Sequence, residues 1–232
     1  MAIALNDSAV TNADTAGRSS GTQSFTVTSG SNLIMIAVFH FLNGSTDPTI
    51  SAADFNGDSL TFLHGQTNNY QFNRHIRTSA YYLVNPDVGT LDFSWTYGQT
   101  QAADVVSLYT LSGVDQSSPI GATNDVTGNS NTDTISLTTT AADSIVLGHY
   151  TWEGHDAQPF STGDTELYDL QSGGNNANTD CSAFGGYEIA TSIGSYGIDA
   201  TASVTDDFVG IAFEIKASGG APPTTRRVFM VS

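Results

Sequence analysis

Four side chains with metal-binding or proton-transfer chemistry lie close together in the sequence: His149, Glu153, His155 and Asp156. Imidazole and carboxylate groups are common zinc ligands and common general acids and bases. A zinc site needs three or four such groups at about 2 Å from the metal, and the spacing His-x3-Glu-x-His matches no established zinc motif. We therefore predict a polar strand end here, with His149 in register with the apolar residues before it and partly buried.

Oxygen-bearing side chains also occur at spacings that suit calcium. Asp54, Asn56 and Asp58 alternate as at the start of a calcium loop, but Leu63 occupies the position where such a loop needs a distal glutamate. A tight hairpin is the simpler interpretation, because Gly57 supplies the positive φ angle that the turn requires. We predict no cofactor, although carboxylates in loops remain candidates for low-affinity Ca²⁺, namely Asp206 with Asp207 and Asp164 with Glu166.

The two tryptophans, Trp95 and Trp152, can provide the flat ring on which a sugar stacks. Trp152 is the better candidate for an exposed platform, because the polar residues Glu153 and His155 follow it. The alternative is that these rings belong to the core, as most aromatic residues of a sandwich do. No Gly-x-Ser-x-Gly, His-Glu-x-x-His or phosphate-binding loop occurs in the sequence, so we predict that the protein is not an enzyme.

The charge balance of the chain is strongly acidic. It contains 23 Asp and Glu residues against six Lys and Arg residues, for a formal net charge of −17. Nucleic acids and anionic membranes are bound through clustered cations, so we predict neither as a partner. Residues 1–10 have no basic start and no apolar run of signal-peptide length, so we expect synthesis in the cytoplasm without a signal peptide.

Apolar residues alternate with a period of two through most of the chain, which indicates short β-strands. Residues 209–215 show the cleanest alternation and predict a half-buried strand, with Glu214 on the polar face. Residues 33–42 are apolar on both faces, which places them in the middle of a sheet that is covered on each side. Residues 124–133 and 172–180 are polar and rich in Asn and Gly, so we predict loops of low order there.

Many strands without crossover helices favour antiparallel pairing. We predict an all-β fold: an antiparallel two-sheet β-sandwich, jelly-roll-like, with extended N- and C-terminal arms. Residues 1–22 would form an N-terminal arm or first strand, and residues 23–218 the sandwich. Residues 219–232 would form a Gly/Pro hinge followed by a strand-like tail.

That tail carries two of the six cations of the chain. The predicted assembly tail consists of Arg226, Arg227, Val228, Phe229, Met230 and Val231. Opposite charges would steer it to the acidic surface of another chain, where it can add a strand to a sheet edge. The sequence therefore predicts a homo-oligomer, with a trimer as the working assumption.

Four segments together resemble a domain of phage particle proteins and environmental bacterial surface proteins. They are residues 32–38 (NLIMIAV), 55–61 (FNGDSLT), 82–86 (YLVNP, followed by Gly89-Thr90) and 111–120 (LSGVDQSSPI), and the similarity extends over residues 25–216. The C-terminal pattern is also similar to the tails of phage-encoded particle proteins. The resemblance implies a β-sandwich that serves as a structural or ligand-binding module, and it carries over no catalytic residues.

From these observations we expect a non-enzymatic structural protein of the virion, either a capsid decoration (cement) protein or a tail accessory. Its partners would be further copies of itself and the major capsid or tail protein. The alternative is a carbohydrate-binding adhesion module, with a cell-surface glycan as its partner and the Trp152 or Trp95 ring as its platform.

Overall fold

A sheet whose inner strands are covered on both faces forms the middle of the molecule. The structure is a computed structural model, and it describes residues 2–11, 17–43, 49–70, 74–154, 164–172 and 180–219. The strands of this central sheet are antiparallel and lie in the order β1 (Ala4–Thr11), β9 (Ala103–Ser112), β3 (Ile34–Asn43), β7 (Arg74–Val84) and β6 (Thr61–Tyr70). Every residue of β3 is buried, so the predicted position of residues 33–42 is confirmed.

A first outer sheet covers one face of the central sheet. Its strands lie in the order β2 (Ser20–Val27), β8 (Gly89–Tyr97), β4 (Ile50–Phe55) and β5 (Asp58–Ser59). Alternate residues of β3, including Phe39 and Phe41, pack against Phe55 and Phe93 of this sheet. Successive side chains of a strand point to opposite faces, so the other half of β3 needs a second cover.

The second outer sheet supplies that cover. Its strands lie in the order β10 (Ile120–Thr138), β14 (Ser195–Ile215), β11 (Ser144–Glu153), β13 (Cys181–Ala190) and β12 (Thr165–Gln171). Ile36 and Val38 of β3 share a buried cluster with Leu147 and Phe213 of this sheet. The chain therefore stacks three sheets, with the central sheet between the two outer ones.

The long strands β10 and β14 form a two-stranded ribbon. One half of the ribbon belongs to the second outer sheet, and the other half packs over the outer face of that sheet. Their register shifts between Ser130 and Thr132. Beyond that point Ile135 and Ile198 pack on Tyr150 and Phe184, which lie on the outer face of the sheet. Residues 124–133 are thus paired strand, and the prediction of a loop is wrong, because a backbone ladder can form whether or not the side chains are apolar.

The predicted fold class is confirmed as all-β and antiparallel, but the number of sheets is three instead of two. Two sheets cannot cover a strand on both faces, and β3, β9, β11 and much of β14 are covered in this way. Residues 4–11 are an edge strand of the central sheet, and the jelly-roll connectivity is not confirmed. The ranges described contain no helix long and apolar enough to cross a membrane.

Candidate functional site

Two histidines meet between the central sheet and the second outer sheet. His40 on β3 has Nε2 at 2.7 Å from the hydroxyl of Tyr168, and His149 on β11 has Nδ1 at 2.8 Å from the same hydroxyl. The other nitrogen of each ring lies 2.8 Å from Thr151 Oγ1 for His40 and 2.9 Å from the Tyr109 hydroxyl for His149. All five side chains are buried.

Strand parity and one glycine bring these rings together. His40 continues the face of β3 that carries Ile36 and Val38, so its ring must enter the second interface. On β13, a Cβ at position 185 would lie 2.5 Å from His149 Nδ1 and 2.7 Å from the Tyr168 ring. Gly185 therefore provides the space in which the two rings stack.

The environment keeps the network neutral. Burial lowers the pKa of His40 to about 3, and burial together with His40 lowers the pKa of His149 well below its ordinary value. Burial raises the pKa of both Tyr109 and Tyr168. Neutral groups that satisfy one another without exposure to solvent can hold two sheets in register, but they cannot reach a substrate. His149 is thus fully buried, where the sequence predicted partial burial at a polar strand end.

The predicted sugar platform is not on the surface. Trp95 is 2% exposed and Trp152 is 1% exposed, so the expectation of an exposed indole is wrong. Trp152 stacks on Phe208 at 4.6 Å under the β10–β14 ribbon, where its Nε1 donates to the carbonyl of Ser130. Trp95 stacks on Phe93 between the central and first outer sheets. Both positions face a covered side of their sheets, because a second layer packs there.

One group of carboxylates has the separation that a metal ion needs. Oxygen atoms of Glu153, Asp206 and Asp207 lie within 4.8 Å of one another. Burial and the neighbouring Asp206 raise the pKa of Asp207. Arg74 Nη1 lies 3.7 Å from Glu153 Oε1 and offsets part of the negative charge. The negative charge of the three carboxylates would attract a metal cation, and Arg74 already neutralises part of that charge.

The remaining metal candidates do not join that group. Asp164 Oδ2 accepts a hydrogen bond from the backbone of Asp199 at 2.9 Å, and it does not lie with Asp206 and Asp207 within the described chain. His155 and Asp156 lie outside the described residues, as does the assembly tail from Arg226 to Val231. The prediction of Ca²⁺ at low affinity stays a prediction.

The alternating oxygens at residues 54–58 belong to a plain hairpin. Asn56 and Gly57 both have positive φ angles, at 53° and 92°, and they connect β4 to β5. Asn56 Nδ2 donates to Asp87 Oδ2 at 2.9 Å, while Asp54 Oδ2 accepts from Ser94. The hairpin interpretation is confirmed.

Sequence reasoning missed a fully buried carboxylate on β14. Glu214 Oε2 accepts hydrogen bonds from the backbone of Ala122 and from both the backbone and the hydroxyl of Thr140, and its Oε1 accepts from the backbone of Ala141. Burial raises the pKa of this carboxyl, but these four bonds lower it by more, so the net pKa lies below the usual range. Glu214 therefore fixes the turn that leads into β11 to the sheet. Residues 208–215 of β14 are covered on both faces, where the sequence predicted a half-buried strand.

A second buried carboxylate neutralises a cation of the body. Asp104 on β9 accepts two hydrogen bonds from Arg18 Nε, at 3.0 and 2.9 Å, and Arg18 also lies 5.0 Å from the centre of the Trp95 ring. The Tyr97 hydroxyl donates to Asp104 Oδ2 at 2.5 Å. This arrangement holds Arg18 inward, so it does not present its charge to a partner.

Comparison with known proteins does not assign the chain to a family. No protein-family model matches the sequence, and no curated protein matches it. The likeness to phage particle proteins and bacterial surface proteins therefore stays a prediction from the four sequence segments.

Proposed function

We propose that the protein is a non-enzymatic structural protein of a bacteriophage particle, a capsid decoration protein or a tail accessory, which assembles through its C-terminal tail. The observation that carries this proposal is that the Lys and Arg side chains of the body bind groups of their own chain. The body has four, and each interacts with its own chain: Arg18 with Asp104, Arg74 with Glu153, Arg77 with Thr67 and Lys216 with Ser118. Only the tail adds cations beyond these.

The acidic groups of the body far outnumber its cations, 23 against four. A neighbouring copy therefore presents a negative surface, to which the pair Arg226 and Arg227 would be attracted. The apolar residues 228–231 that follow can then be buried against that neighbour. This combination favours self-assembly over binding to a nucleic acid.

Open strand edges in the body support assembly by strand addition. In the central sheet β1 pairs with β9 alone and β6 pairs with β7 alone, so each has one side without a strand among the described residues. Such edges accept an extended chain through backbone hydrogen bonds. Each covered face of the central sheet is also packed with apolar side chains, and such close packing resists deformation when a neighbour binds.

The burial of the chemically capable groups supports a non-enzymatic role. His40, His149, Tyr109 and Tyr168 bind one another inside the stack, out of reach of a substrate. The alternative of a carbohydrate-binding adhesion module loses its two predicted platforms, since Trp95 and Trp152 are core residues. Homo-oligomerisation and attachment to a major capsid or tail protein remain the partners that we propose.

Reversing the two tail charges tests the electrostatic part of the proposal. We expect the double substitution Arg226→Glu and Arg227→Glu to raise the dissociation constant of the oligomer at least about tenfold, because each reversed contact costs on the order of 1 kcal/mol. Sedimentation equilibrium of the full chain at low and moderate salt measures this constant. The matched comparison is between Arg226→Glu alone and Lys216→Glu, which reverses a cation of the body and changes the net charge by the same two units; Lys216→Glu should leave assembly unchanged. Equal effects of the two variants would show that net charge, and not the tail, controls association.

A further inference from the structure

A groove runs along one side of the molecule where the central and first outer sheets meet. It has a volume of about 210 Å³ and is lined by Ile50, Ser51, Ala52, Ala53, Asp54, Ser59, Leu60 and Tyr81. We call this the β4–β6 groove, because β4 and the segment leading into β6 form its walls. Phe62 on β6 lies beside it, 50% exposed, with its ring edge-to-face against Tyr81 at 5.4 Å.

Each wall of the groove includes a strand with an unpaired side among the described residues. β4 pairs with β8 along its length, but on its other side it pairs with β5 only at Asp54 and Phe55. The part of β4 from Ile50 to Ala52 therefore has no strand on its outer side within the described ranges. Among the strands that the structure describes, β6 pairs with β7 alone. A depression with both polar and apolar lining between two open edges is the kind of surface that binds an added strand.

We propose that the β4–β6 groove accepts the C-terminal tail of a second copy of this chain, with residues 228–231 as the added strand. This inference rests on the proposed function, since it names the surface at which the tail of an assembling copy docks. Extended residues 228–231 place Val228 and Met230 on one face and Phe229 and Val231 on the other, so one pair can fill the groove.

The charges and the chain length suit this occupant. Asp54 lines the groove and Asp58 lies in the adjoining hairpin, so two carboxylates are available to the Arg226–Arg227 pair that precedes the apolar residues. The cation nearest on β7, Arg77, is bonded to Thr67 and Ser79. Between Gly219, where the described chain ends, and Arg226 lie residues 220–225, which span about 20 Å when extended.

The stiffness of the linker favours a neighbour over the same molecule. The backbone N–H of Ser218 donates to the carbonyl of Gly113, just beyond the end of β9, and the groove borders β6, three strands away in the same sheet. At about 4.8 Å per strand, the linker is long enough to reach the groove of its own molecule or that of a neighbour. Pro222 and Pro223 have no backbone N–H and favour an extended spacer. A stiff spacer of that kind disfavours the fold-back that docking in the groove of the same chain would require.

Cross-linking between two full-length chains tests the inference directly. One chain carries Met230→Cys and the other carries Ser51→Cys in the groove, and the two are mixed under mild oxidation. The native Cys181 is buried, and burial raises the pKa of its thiol to about 12, so it does not compete. We expect at least about tenfold more disulfide-linked heterodimer than with the control Ile193→Cys, because docking raises the local thiol concentration. Ile193 is 62% exposed and does not line the groove.

Substitution of the exposed ring provides a second readout. Phe62→Ser should raise the dissociation constant of the full-length oligomer about tenfold, whereas Val88→Ser, which removes a similarly exposed apolar side chain elsewhere, should change it less than about twofold. Loss of folding is not expected from either, since both side chains are at least half exposed.

The outcomes separate the inference from the proposed function. Equal cross-linking at Ser51 and Ile193 in a chain that still oligomerises through its tail would overturn the groove and leave the function standing. A disulfide formed only within a chain that carries both Met230→Cys and Ser51→Cys would show that the tail binds its own body, which also overturns the inference. A monomer insensitive to every tail change would contradict both.

Discussion

Glu214→Gln is expected to lower the free energy of unfolding by about 3 kcal/mol, because one buried carboxylate accepts four hydrogen bonds. Glutamine keeps one acceptor oxygen and replaces the other by a donor, which then faces a donor of the chain. Oε2 alone receives three bonds, from Ala122 and Thr140, and Oε1 receives one from Ala141. Whichever orientation the amide takes, at least one backbone N–H that bonds to Glu214 loses its partner.

Equilibrium unfolding in urea at pH 7 measures this effect. The matched control is Glu188→Gln on β13, where burial and the carboxylates of Asp164 and Asp199 raise the pKa of Glu188. Removing that charge relieves repulsion, so the control should leave stability unchanged or slightly higher. Similar losses in the two variants would mean that the bonds to Glu214 contribute nothing specific. If the free energy of unfolding of each variant depends on urea concentration as steeply as that of the parent chain, each variant still unfolds as one unit.

The free energy of unfolding is expected to fall by about 2 kcal/mol between pH 6 and pH 5, as a result of His40 and His149. An unfolded chain binds protons on both rings below about pH 6.5. In the folded chain burial lowers the pKa of His40 to about 3 and that of His149 well below its ordinary value. The unfolded state therefore binds more protons than the folded state between pH 6 and pH 5. The stability that the two neutral rings contribute is complete above about pH 6.5 and is lost as the pH falls.

The slope of stability with pH identifies the histidines responsible. His149→Gln should reduce the loss between pH 6 and pH 5 to about half, since each ring contributes up to about 1.4 kcal/mol per pH unit. His75→Gln, which removes an imidazole bonded at the surface to Asn69, is the control and should leave the slope unchanged. An unchanged slope in His149→Gln would contradict a neutral, buried ring at that position.

The sequence pattern predicted the local structure correctly where a single property, such as apolar side chains or a positive φ angle, decides it. The double-faced apolar run at 33–42 predicted a covered strand, and Asn56-Gly57 predicted a tight turn, because only a positive φ angle fits there. The prediction for residues 124–133 was wrong. Their Asn, Thr and Gly side chains are typical of a loop, but their backbone pairs with β14. Strand pairing over such a distance in sequence leaves little local trace.

The third sheet and the buried network were harder to predict for a related reason. A strand covered on both faces implies a third layer, yet which strands form that layer depends on pairings that sequence alone does not supply. His40 was a visible signal, as it interrupts an otherwise apolar run, but its partner Tyr168 lies 128 residues further along the chain. The exposure of Trp95 and Trp152 depended on the same missing layers, which explains why the sugar platform was predicted and not found.

The mass of the full-length chain and of a chain that ends at Ser218, measured by light scattering at moderate salt, tests the assembly claim most directly. The described body ends at Gly219, and within it the backbone bond nearest the C-terminal end comes from Ser218, so this truncation removes the tail without removing a described strand. We expect an oligomer for the full chain and a monomer after truncation. An unchanged oligomer, or a monomer in both cases, would contradict a protein that assembles through its C-terminal tail.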